Sequence, residues 1–134
     1  MAFTEDICKS VVDAVEDGLA CAVVDLDTGM LFGVHNKVEY LSQSCVDALA
    51  AAAVEMFRGR RVQGIEEMIG KARGASISNV FTEIMAQSES IRHYMKVIPE
   101  KAALAVLVTR TSSDHEVGWS ALRNAVGEIG QSLS

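Results

Sequence analysis

Proline is almost missing from this sequence: Pro99 is the only one in 134 residues. Little therefore interrupts helices and strands, and the many alanines favour regular elements over long irregular loops. Cysteine is sparse and odd in number. Cys8, Cys21 and Cys45 lie far apart and form no C-x-x-C pair, which argues against zinc and against a disulfide framework. They suit a reducing compartment, each as a small apolar packing residue. No apolar run approaches the length of a membrane span. Residues 1–10 carry Glu5 and Asp6 and have no apolar core of a signal peptide. The expectation is a cytoplasmic protein with no membrane insertion. Positive charge is also short, with a net charge of -6 and a pI near 5.0. Nucleic acid is a poor partner for such a surface, since phosphate binding needs clustered cations. The one dense basic spot is Arg58-Gly59-Arg60-Arg61. It has the chemistry to grip a carboxylate or phosphate, but the preferred reading is a solvated helix end, where cations suit the dipole.

What is present is an ordinary globular composition, 49% hydrophobic and 22% charged. One domain spanning residues 1–134 is expected, long enough to bury a core without staples. Thr4 to Leu19 reads as a helix, with Thr4 as its N-cap, acids in its first turn and Gly18 as its stop. Ala20 to Leu26 and Met30 to His35 read as a hairpin around Asp27-Thr28-Gly29, where Gly29 supplies positive φ. A helix opened by Ser42 or Ser44 runs to about Arg58. It is apolar nearly all round, so it needs burial on more than one side, and a second copy of the chain is the simplest second surface.

Val62 to Lys71 reads as a further helical turn or two, and Ala72 to Ser78 as a connector. Three strands follow: Asn79 to Ala86, Ile91 to Ile98 and Ala102 to Thr109, the last apolar enough to be central. Ser113-Asp114-His115-Glu116 has the form of a capping box for a final helix striped by Val117, Leu122, Ala125, Val126 and Ile129. The resulting class is α+β: a five-stranded antiparallel sheet sandwiched by helices, in the order α-β-β-α-β-β-β-α.

Residues with catalytic potential reduce to bland readings. Asp-Thr-Gly closing an apolar strand is an aspartic-protease signature, but that fold is almost entirely β. An Asp-x-Asp-x-Thr phosphatase needs its threonine one residue later than Thr28 and a parallel sheet. Asp27 and Gly29 are therefore read as turn residues, for side-chain-to-backbone hydrogen bonding and positive φ. His35, His93 and His115 share no spacing that points to a metal or a catalytic group. Gly70 to Ser76 holds glycine and lysine in the wrong order for a phosphate loop. Trp119 is read as core, or as an interface anchor. Met56, Met68, Met85 and Met95 are read as core filler. No catalytic residue, cofactor or metal is expected.

Three stretches carry a resemblance. Ala22 to Leu31 forms an apolar strand, an acidic Gly turn and a second strand. Ser44 to Phe57 is an alanine-rich helix. Ala103 to Val108, a polar loop and Val117-Gly118-Trp119-Ser120-Ala121-Leu122-Arg123 form a last strand and helix. In this order they resemble the roadblock family, the dynein light-chain relatives with a longin-like fold, across essentially the whole chain. The segment from Arg60 to Ser78 is longer than that family's usual link.

The resemblance implies a dimer, with second helices packed together and third strands meeting edge to edge. It also implies a platform without catalytic residues of its own that regulates a small Ras-like GTPase. Activating members are thought to reorganise the GTPase's own residues, so Arg58, Arg60 and Arg61 are not assigned as a catalytic finger. The expected dimer contact comprises Val46, Leu49, Ala50, Ala53, Val54, Phe57, Phe81 and Glu83. Self-association and a small GTPase partner are expected; a ligand-binding sensor or a purely structural scaffold is the alternative.

Overall fold

The computed structural model describes residues 3–38, 42–75 and 81–133. Among these residues nine elements follow one another: α1 (Thr4–Asp13), β1 (Gly18–Asp25), β2 (Leu31–Asn36), α2 (Gln43–Arg58), α3 (Arg60–Arg73), β3 (Glu83–Gln87), β4 (Ile91–Val97), β5 (Ala103–Arg110) and α4 (His115–Ser132). The strands form one antiparallel sheet in the order β2-β1-β5-β4-β3. The expected five-stranded α+β architecture is present, with one full helix, α3, added between α2 and β3. The expected connector from Ala72 and the expected start of the third strand at Asn79 run into residues 76–80, outside the described residues.

Alternation along the strands builds two cores. One face of the sheet presents Cys21, Val23, Tyr94, Ala105 and Leu107 to α1 and α4. The other presents Val24, Met95 and Leu104 to Ala50, Ala53 and Phe57 of α2. Successive residues of a strand point to opposite faces, so β1 and β5, covered on both, are apolar almost throughout. Ala103–Arg110 is central as expected.

Three sequence expectations change at helix ends. α1 stops at Asp13 rather than Leu19, because the chain reverses through Asp17 (φ 62). Gly18 then begins β1, packed so tightly on the end of α1 that a Cβ there would lie 2.6 Å from the Val12 carbonyl oxygen. Thr4 does not cap α1. Phe3 occupies that position, and Thr4 Oγ1 instead bonds Ser132 Oγ at 2.7 Å, tying the start of α1 to the end of α4. The capping box does not form. Asp114 is the N-cap and its Oδ1 accepts from the Glu116 amide at 2.8 Å, while buried Ser113 donates to the Glu16 carbonyl. A buried hydroxyl must find a partner, and the turn after α1 supplies it. By contrast, of the two serines read as opening α2, Ser42 is the cap, through the Cys45 amide.

Candidate functional site

The hairpin that opened the chemical question is a turn. Asp25 Oδ1 accepts from the Asp27 amide at 2.8 Å, Thr28 Oγ1 accepts from the Met30 amide at 3.2 Å, and Gly29 takes φ 78. The acidic and hydroxyl side chains replace backbone partners that the tight loop lacks. The histidines do not meet. His35 is on β2 and His93 on β4, with β1 and β5 between them, and His115 opens α4. Among the described residues no group of three His, Cys, Asp or Glu could hold a metal ion.

Two cysteines that are distant in sequence do come together. Cys8 on α1 and Cys21 on β1 share the first core as free thiols, and the Cys21 thiol is pushed up by its hydrogen bond with Cys8 and by burial. A raised thiol is a poor nucleophile, so this pair packs rather than reacts.

The functional candidate lies on the other face. α2 crosses the sheet and covers only part of it. Between them opens a cavity of about 160 Å³, lined by Val46, Leu49, Ala52 and Met56 of α2 and by Ala22, Val34, His93 and Val106 of the sheet. Its wall is almost wholly apolar. Burial lowers the pKa of His93 below its ordinary value, so the imidazole stays neutral there at pH 7.

The outward side of α2 continues the apolar surface. Leu49 is 38% exposed and Met56 41%, and with Cys45 and Ala52 they follow the spacing i, i+4, i+7, i+11 of one helix face. At the sheet margin β3 has β4 as its one hydrogen-bonded neighbour, so its outer edge is unpaired within the described residues. An apolar helix face, an apolar cleft and a bare strand edge together form a surface that calls for a partner.

The residues expected at a dimer contact divide between inside and outside. Ala50, Ala53 and Phe57 point into the protomer's own second core, where Phe57 is wholly buried. Val54 and Phe81 are half-buried against the same core. Val46 and Leu49 line the open cleft.

Glu83 is held within the chain. Arg123 of α4 donates to both of its carboxylate oxygens at 2.7 and 2.8 Å, and Lys96 Nζ lies 3.2 Å away. The Arg123 guanidinium and Lys96 hold its carboxyl at a pKa of about 2. Arg123 also lies 4.8 Å over the Trp119 ring, which meets Tyr94 edge-on with centroids 5.2 Å apart. Trp119 therefore joins α4 to the sheet.

Sequence reasoning did not single out Ala52 and Met56 for the open face. Their four-and-three spacing was visible, but a helix apolar all round conceals which side faces the sheet.

No protein-family model matches the chain, and no curated protein matches it. Solved structures do. A Roadblock/LC7 domain from Streptomyces avermitilis superposes with a TM-score of 0.74 at 14% identity, covering 98% of each chain. The gliding protein MglB from Thermus thermophilus gives 0.72 at 15% identity, over 96% of this chain and 86% of that one. An MglB structure with a tetrameric arrangement gives 0.71 at 15% identity, over 96% and 85%.

Proposed function

We propose, from the roadblock fold that this chain adopts, that it is a non-catalytic dimeric adaptor that regulates a small Ras-like GTPase. The observation that carries the reading is the unpartnered surface formed by α2 and the β3 edge, on a fold shared with MglB. Two copies joined there would cover Leu49, Ala52 and Met56 and complete the burial that an all-apolar helix requires. A tetrameric arrangement in one neighbour supports self-association as a property this fold accommodates. The chain would then act as a platform in the cytoplasm, repositioning residues of the GTPase rather than contributing a catalytic group. No helix of the described residues is long and apolar enough to cross a membrane.

Immobilised protein, incubated with extract of the source cell and either GDP or a GTP analogue, tests the partner. Retention of a small GTPase in one nucleotide state is the expected result, and that state gives the direction of regulation. Retention of no GTPase in either state would reject the regulator reading. A second reading has the cleft beside α2 in its favour: its volume and apolar wall fit a small apolar ligand. In that case an apolar fluorescent probe would bind the protomer and be displaced by extracted lipids or other apolar metabolites.

A further inference from the structure

The fold makes almost no use of α3. Of its fourteen residues only Glu66 and Gly70 are buried, and none belongs to a core cluster of the described residues. It packs chiefly on α2. Ile65 is 45% exposed and Met68 72%. With Arg61 and Ala72 they follow i, i+4, i+7, i+11 spacing along one face, on the side away from Glu66 and Gly70. A helix of this length is marginal in water without a packed face, and Gly64 and Gly70 weaken it further. Something outside the protomer must cover its apolar strip for the helix to be firm.

The charges of α3 point the same way. Arg58 suits the last turn of α2, but Arg60 and Arg61 stand in the first turn of α3 with no acid beside them. The dipole disfavours cations there, so the solvated-helix-end reading does not account for these two arginines. Arg60, Arg61, Lys71 and Arg73 make no ion pair among the described residues. Residues 58–73 hold five of the chain's twelve Lys and Arg against two acids, in a protein whose net charge is -6. A stretch of net +3 thus sits on a remainder of net -9.

We infer that α3 is a peripheral docking helix for an anionic lipid bilayer. Ile65, Met68 and Ala72 enter the boundary between headgroups and acyl chains, and Arg60, Arg61, Lys71 and Arg73 meet the lipid phosphates. Charge complementarity and area select this occupant. Three apolar side chains in a row fall far short of the roughly 800 Å² per partner that a stable protein interface needs. A bilayer accepts such a strip without shape complementarity and adds attraction for each flanking cation. Nucleic acid suits the strip poorly, because α3 carries no aromatic side chain for bases to stack on.

The test is sedimentation of the full-length protein with vesicles of phosphatidylcholine alone or with about one-third phosphatidylserine. Binding is expected only to the anionic vesicles, with release at high salt. Arg60→Ala and Arg61→Ala should each weaken it about fivefold. The double variant I65S/M68S, checked for unchanged circular dichroism and mass in solution, should lose it. Failure of the wild-type chain to bind anionic vesicles would overturn the proposal, as would binding that survives I65S/M68S. Loss of self-association in that variant without vesicle binding by the wild type would assign the strip to a second copy instead.

Discussion

At Gly118 one missing side chain decides how α4 meets the sheet. A Cβ there would stand 2.6 Å from Tyr94 Cζ. The Tyr94 ring is wholly buried and has no room to retreat: its hydroxyl accepts from Arg92 Nη1 at 3.1 Å and Trp119 closes its side. Gly118→Ala should therefore destabilise the protein by about 1–3 kcal/mol through overpacking, although alanine is the better helix former by about 1 kcal/mol. Urea unfolding measures this, and an unchanged or higher midpoint would show that the ring can move. The side-chain acceptor of the hairpin turn is Asp25 rather than Asp27, but Gly29 was legible in the sequence, because a turn's need for positive φ is local. Ser113 was not: its partner is the Glu16 carbonyl, nearly a hundred residues away, and no short motif encodes that.

Among the elements, the strands and α2 were readable from period, caps and turn residues, while α1 and α3 were misjudged in length. α1 loses its last residues to a reversal at Asp17 that tertiary packing imposes. α3 has a weak stripe and two internal glycines, so propensity argued for little more than a turn or two, yet it runs for fourteen residues. The link between α4 and β3 was invisible in the sequence because Glu83 and Arg123 are distant and ordinary. It has a pH signature. The Glu83 pKa falls from 4.5 in the open chain to about 2 in the fold. Its stabilisation is therefore complete above pH 4.5 and is lost as pH falls toward 2. With the Arg123 side chain half exposed, the contribution should be under about 1 kcal/mol. Thermal melts of Glu83→Gln beside the wild type should show a small gap at pH 7 that closes between pH 4.5 and 2. A constant gap would place the effect elsewhere than in the carboxylate's charge.

For the whole molecule, the decisive division is between the two sides of α2. Ala53→Glu puts an unpaired charge into the protomer's own core and should give insoluble or unfolded protein. Met56→Glu alters the exposed face of α2 and the lip of the open cleft but not the closed core, so the chain should fold and appear at half the wild-type mass by light scattering. A folded Met56→Glu protein at the wild-type mass would move the contact away from this face.

The strand order carries a consequence for how the molecule is made. β1 and β5 lie side by side at the centre, with Cys21 opposite Leu107. A ribosome that has released β1 needs about 4 to 17 s more to deliver β5, at ordinary rates of synthesis. During that interval the hairpin of β1 and β2 bears one bare, apolar edge, while α1 and then α2 can cover only its faces. The nascent chain is thus most open to mispairing in the interval before its last strand emerges, and slow, late closure of the sheet is the expected rate-limiting event of its folding.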